Sequence, residues 1–258
     1  MNGGELREVA LTPEEIARIL SVCGTRALLV GGQSLAFWAL YYEVRPPGVL
    51  SESITMDVDF VGTAKVAELL LQGLGEPWKL HAASLDDLSG QTAKVYEVLP
   101  GRGLKQIDFL SGIVGLDIPA VTRRAVEVEV DPDVWVRVLH PLDVLESRLQ
   151  NLRQLPAKQN EIGIAQTRLA VDVVRAFLED RLADGDKKRV FQAIKRIRKL
   201  VLDPWLSRTA FKYSVEVIDA VPVAKIAAAK FREQFWPDLL TRLRAKHTRY
   251  AAGRPEPR

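Results

Sequence analysis

The spacing of apolar positions changes character near residue 140. Before that point the chain shows short apolar runs and alternations broken by Gly, Pro and acidic turns. Thr12-Pro13-Glu14-Glu15 has the form of a capping box with Pro at the first helical position, and predicts a helix to about Val22 that stops near Gly24. Residues 26–30 form an apolar run that reads as a buried strand, broken by Gly31-Gly32. Residues 33–42 are apolar all round (Leu35, Ala36, Phe37, Trp38, Leu40), which predicts a largely buried helix. A loop at Pro46-Pro47-Gly48 leads to a second strand, Thr55-Met56-Asp57-Val58-Asp59-Phe60. Thr63 caps a predicted helix over 64–72, ended by Gly73 and Gly75. Strands follow over 78–83 and 92–99, separated by a polar loop with Asp86-Asp87, and then over 104–110 after the turn Pro100-Gly101-Arg102-Gly103. Residues 124–130 and 134–139 alternate around Asp131-Pro132-Asp133, the pattern of a hairpin with one wet face.

After His140-Pro141 the period becomes helical. Helices are predicted over 142–154, 160–182, 187–201, 207–219 and 222–249, punctuated by Asp203-Pro204 and Val221-Pro222, with a disordered tail over 253–258. The expected architecture is α+β, with one domain over 1–140 and a helical, basic domain over 141–258.

Composition narrows the class. A chain of 258 residues with 47% hydrophobic content can bury a substantial core. It has no apolar run near the roughly 18 residues a membrane span needs, so no membrane partner is expected. The opening Met1-Asn2-Gly3-Gly4-Glu5 lacks a signal-peptide pattern, and a cytoplasmic location is expected. The single Cys23 forms no internal disulfide, and His81, His140 and His247 are too scattered for a zinc pattern. Net charge is +3, but residues 181–258 hold 19 Lys/Arg against 8 Asp/Glu, whereas residues 1–180 hold 17 against 25. A solvated helical surface and a polyanion-binding face both explain that asymmetry.

The chemistry concentrates between residues 28 and 110. Residues two apart on a strand share a face, so Asp57 and Asp59 project together while Val58 and Phe60 point into the core. Paired carboxylates repel unless a cation lies between them, and a hard ion such as Mg2+ takes oxygen ligands. On the strand 104–110, Gln106 and Asp108 share one face and Ile107 and Phe109 the other, which supplies a third carboxylate. Gly31-Gly32-Gln33-Ser34 opens a helix, whose N-terminal amides suit a phosphate. Three carboxylates can hold two Mg2+ ions, the arrangement for in-line displacement at phosphorus.

This combination resembles the nucleotidyltransferase fold of the DNA polymerase β-like superfamily, and within it the AbiEii-type nucleotidyltransferases, the toxin half of type IV toxin–antitoxin pairs, including the MenT-like toxins. The resemblance rests on Val30-Gly31-Gly32-Gln33-Ser34-Leu35-Ala36, on Thr55-Met56-Asp57-Val58-Asp59-Phe60 and on His140-Pro141-Leu142-Asp143-Val144-Leu145, and covers about residues 25–180. It implies a mixed sheet flanked by helices, then a helical C-terminal domain. It also implies transfer of a nucleoside monophosphate from an NTP to an acceptor hydroxyl, with an RNA (tRNA) end as acceptor and an antitoxin protein as partner. Asp57, Asp59 and Asp108 would hold the metal, with Asp108 helping to activate the acceptor. Gly31, Gly32, Gln33 and Ser34 would bind the nucleotide, Gly32 and Ser34 at the triphosphate. Where the family has a lysine in its helical half, this chain has Arg148, with Lys158 ten residues on; its later aspartate corresponds to Asp172. The Gly32-to-Asp57 interval is long, making residues 43–53 an inserted loop, and Val61 stands where an arginine often follows the acid pair.

Two other readings stand beside this one. The same enzyme class acting on a small molecule or protein side chain would bind its acceptor with little salt dependence. A non-catalytic module of the same fold would bind nucleotide or protein without turnover.

Overall fold

The computed structural model describes residues 6–50, 57–84 and 90–253, so Thr55-Met56, Asp86-Asp87 and the tail from residue 254 lie outside the described residues. The fold is α+β. Its described elements begin with strand β1 (Arg7–Glu8), helix α1 (Pro13–Cys23), strand β2 (Leu28–Leu29) and helix α2 (Gly31–Tyr41). Strand β3 (Val58–Val61), helix α3 (Ala64–Leu74), and strands β4 (Lys79–Ala82), β5 (Gln91–Leu99) and β6 (Gly103–Leu110) follow. Helix α4 (Ile118–Arg124) leads into the hairpin β7 (Val126–Asp131) and β8 (Val134–Val138). The remainder is helical: α5 (Pro141–Gln154), α6 (Glu161–Ala183), α7 (Lys187–Leu202), α8 (Pro204–Lys212) and α9 (Trp236–Ala251). No helix among the described residues is long and apolar enough to cross a membrane.

The chain divides into two compact units. The first takes residues up to Phe37 and those after Leu50 up to Val144; the second takes Trp38–Leu50 and everything from Leu145. The first unit is built on a mixed sheet ordered β4-β5-β6-β3-β2-β8-β7, with β1 beside β6. β3 runs parallel to β6 and antiparallel to β2, and β2 runs parallel to β8. Val58, Phe60, Ile107, Phe109 and Val95 are almost wholly buried, and the Phe60 and Phe109 rings stack at 5.5 Å. α1 and α3 pack on one another and on the sheet. α1 starts as its sequence predicts: Thr12 Oγ1 accepts from the Glu15 amide, and Glu15 Oε2 accepts from the Thr12 amide.

In the second unit α6 buries Leu169, Val173, Val174 and Leu178 and packs on α7. Its start at Glu161 is fixed by Asn160, whose side chain accepts from the Gly163 amide, and α7 is capped likewise by Asp186. Trp38 stacks on Tyr42, and Tyr42 meets Phe177 edge-on.

Several sequence expectations change. α2 is not buried all round: Leu40 is 83% and Tyr41 52% exposed. A uniformly apolar stretch carries no period to mark its outer side. The helix predicted over 207–219 starts earlier, at Pro204, because Asp203 caps it by accepting from the Trp205 and Leu206 amides. It ends at Lys212, just before Ser214 takes a positive φ of 51°. The helix predicted over 222–249 is instead a short 3-10 turn at Val223–Lys225, a π turn at Phe231–Phe235 and then α9. α4 and β1 were not expected. α4 has only seven residues, with Asp117 as its cap, and β1 has two.

Candidate functional site

The parallel pairing of β3 with β6 sets the site. Asp59 lies directly opposite Asp108, with Val58 opposite Ile107 and Phe60 opposite Phe109. Alternation puts the two aspartates on one face and the stacked phenylalanines on the other. Asp57, two residues before Asp59, joins them, and one ligand oxygen from each of the three carboxylates lies within 4.8 Å of the others. Like charges directly opposite one another on a sheet are destabilising. Three hard oxygen donors so close together fit a divalent cation of the Mg2+ kind, and this cluster can hold a metal ion.

The glycine turn abuts the cluster. The Val30 amide donates to the Asp59 carbonyl at 2.9 Å, which fixes the end of β2 against β3. The next residue, Gly31, has φ +64°, and a Cβ built there would overlap the Asp59 carboxylate. Only glycine lets the backbone turn into α2 this close to the acid. The amides of Gly31, Gly32 and Gln33 precede the helical hydrogen-bond ladder, whose first bond runs from the Ser34 amide to the Val30 carbonyl at 3.1 Å. Ser34 is fully buried, and its hydroxyl donates to the Gly31 carbonyl at 3.0 Å. Its side chain therefore braces the turn from within. Gln33 is also buried, and its amide nitrogen has no hydrogen-bond partner among the described residues. A buried donor without an acceptor costs free energy.

Asp108 is held by residues that the sequence reading did not single out. Gln91 Nε2 donates to Asp108 Oδ1 at 2.5 Å, and Lys94 Nζ lies 3.6 Å from the same oxygen. Lys94 also donates to Gln106, and Gln106 donates to Glu8 of β1. Burial pushes the Asp108 carboxyl above the ordinary aspartate range; the Lys94 charge opposes this and the Asp57 charge adds to it. Alternation along β5 gives the face of Lys94, and only the register of the sheet gives its partner. Ala93 and Val95 mark the buried face of β5, which places Lys94 on the opposite face, and the antiparallel register sets it across from Asp108.

The remaining predicted residues lie in the second unit. Arg148, on α5, is buried and donates to Gln166 at 3.2 Å. Lys158 is exposed at the end of the 3-10 turn Pro156–Lys158, and Asp172 is exposed on α6. The His140-to-Val144 stretch of the resembling segment has a structural part in the first unit. Asp143 is fully buried, its two oxygens accepting from Arg124 Nε and Nη2 at 3.0 and 2.7 Å, and His140 Nδ1 accepts from the Leu142 amide.

No family model and no curated protein sequence matches the chain. Among solved structures it is similar to JHP933 from Helicobacter pylori, at 11% identity over 92% of this chain and 90% of that one, with a TM-score of 0.37. It is also similar to a provisionally assigned nucleotidyltransferase of H. pylori, at 9% identity over 95% of this chain and 100% of that one, with a TM-score of 0.33. At these TM-scores the likeness leaves the chemistry to be read from the chain's own residues.

Proposed function

We propose that the protein is a Mg2+-dependent nucleotidyltransferase that moves a nucleoside monophosphate from an NTP to an acceptor hydroxyl. The observation that carries this is the Asp57, Asp59 and Asp108 cluster, with its ligand oxygens within 4.8 Å, set against the Gly31 turn. The three carboxylates would hold two Mg2+ ions, which supply charge neutralisation on the triphosphate and a lowered pKa at the acceptor hydroxyl. In the reaction the acceptor oxygen bonds to the α-phosphorus, the bond from that phosphorus to the bridging oxygen breaks, and pyrophosphate leaves with the electron pair. The acceptor proton passes to Asp108 or to solvent. Gln91 and Lys94 orient Asp108 for this role. The Gly31, Gly32 and Gln33 backbone amides, at the positive end of α2, suit the triphosphate.

The acceptor we infer is an RNA end, supported by the balance of 19 basic against 8 acidic residues over 181–258. A transfer assay with each α-labelled NTP, Mg2+ and total tRNA tests the reading. Wild type should label RNA with a preferred nucleotide, and Asp57→Ala with Asp59→Ala should lower the rate by at least about a thousandfold. Label on another acceptor would move the acceptor but keep the chemistry. Equal labelling by the double variant would remove the acidic cluster from the reaction.

A further inference from the structure

A cavity of about 310 Å³ lies wholly within the second unit, and none of its residues belongs to the acidic site. Its walls are Phe191, Ile194, Phe231 and Phe235. The Phe231 and Phe235 rings stack at 5.4 Å, and Phe191 meets Phe231 edge-on at 5.9 Å. The stacked pair opens and closes the five-residue π turn before α9. Such turns are rare and occur often at functional sites. Two exposed cations, Lys195 of α7 and Lys230 just ahead of the π turn, also line the cavity, and neither has an ion-pair partner among the described residues. Arg198 adds positive charge, its guanidinium 5.9 Å from the centre of the Phe235 ring.

The volume reaches the range of small-molecule pockets. The walls exclude some ligands. A nucleobase would leave its polar edges without partners against phenylalanine and isoleucine, and an unpartnered polar group in such surroundings is costly. A cationic amphiphile would meet two lysines. An apolar body with one anionic end satisfies both features, burying its carbon against the rings and giving its charge to the ammonium groups. We propose that this cavity binds a small anionic amphiphile, a carboxylate carrying an alkyl or aryl body of up to about ten carbons, with the carboxylate held by Lys195 and Lys230.

Calorimetric titration of the full chain with decanoate, 4-phenylbutyrate and decylammonium tests this. Decanoate or phenylbutyrate should bind and decylammonium should not; the tighter of the two carboxylates assigns the alkyl or aryl class. Lys195→Met and Lys230→Met should each weaken carboxylate binding about tenfold. Ala228→Trp, at an exposed position lining the cavity, should abolish binding by filling the space. Circular dichroism melting of each variant separates loss of the site from loss of fold; if Ala228→Trp melts early, the two methionine variants still read the charge contact. The proposal is overturned if neither carboxylate binds, if decylammonium binds as well as decanoate, or if a folded Ala228→Trp variant binds like wild type.

Discussion

At the scale of single residues, Gly31 and Asp108 carry the tightest constraints. Gly31→Ala asks an L-residue to take φ +64° and places a methyl group on the Asp59 carboxylate. Gly75, at the end of α3, has φ +68° but open space around the missing Cβ. Gly75→Ala should therefore cost only the conformational term, about 1–3 kcal/mol at this φ and a ψ of −165°, and leave metal binding unchanged. Gly31→Ala should cost more in urea unfolding and weaken Mg2+ binding at least tenfold, because Asp59 must move. Equal effects of the two substitutions on metal binding would detach the turn from the acid. Asp108 sets a pH dependence. The metal-free folded chain holds this proton more tightly than the unfolded chain does, since burial raises its pKa. That contribution to stability is present at low pH and is lost as pH rises through the raised value. Metal binding runs the other way, because a ligating carboxylate must be bare. The apparent Mg2+ affinity should fall as pH drops through that raised value, by at most about tenfold per unit for one displaced proton, with weaker binding and a shallower slope in Asp108→Asn. The same pH slope in wild type and Asp108→Asn would exclude Asp108 from the ligand set.

At the scale of elements, Asp143 shows how a motif residue can act in folding. It sits in the first turn of α5, fully buried, and Arg124 at the end of α4 grips both its oxygens. Arg124→Ala would leave a buried carboxylate without that guanidinium. Because Arg124 itself is 39% exposed, the loss should fall at the lower end of the range for a broken buried pair, about 3 kcal/mol, read as a shifted urea midpoint with unchanged m-value. A shift worth under about 1 kcal/mol would show that other partners carry Asp143. The elements the sequence revealed best had a clear period, with a start signal as well for α1: α1 with its Thr12 box, α6 with its long helical period, and β6 with Gln106 and Asp108 on one side. Those it concealed lacked such a period. α4 is too short to show a period, and the two-residue β1 exists only through its partner β6. Past Pro222 the helical period is real, but the turn type that interrupts it, a π turn stacking Phe231 on Phe235, has no signature in residue spacing. The carboxylates were legible because two-residue spacing fixes a shared face. Gln91 and Lys94 were not singled out, because their part depends on the register between β5 and β6, which local pattern does not encode.

At the scale of the whole molecule, the sequence shows where positive charge accumulates but not which cations are already paired. In the structure Arg181, Arg189, Arg196, Lys225 and Arg242 each have an acidic partner within 3.3 Å, so part of the surplus is neutralised at home. On α7, Lys188, Lys195 and Lys199 follow at intervals of seven and four residues, all exposed. Those intervals keep them on one face of the helix. A row of lysines on one face matches a phosphate backbone, which is bound through charge and releases condensed counterions as it docks. For a single-stranded RNA end contacted at about four phosphates, affinity should fall roughly 50-fold between 50 and 200 mM salt. Replacing Lys188 and Lys199 by Glu should weaken binding and flatten that slope, while Lys65→Glu in the first unit should change neither. Filter binding of a labelled tRNA over that salt range measures all three. A steep slope that survives Lys188→Glu with Lys199→Glu would move the RNA to another face. A slope near zero in wild type would leave the acidic cluster its chemistry and point to an uncharged or small acceptor, because only a polyanion ties affinity to salt so strongly.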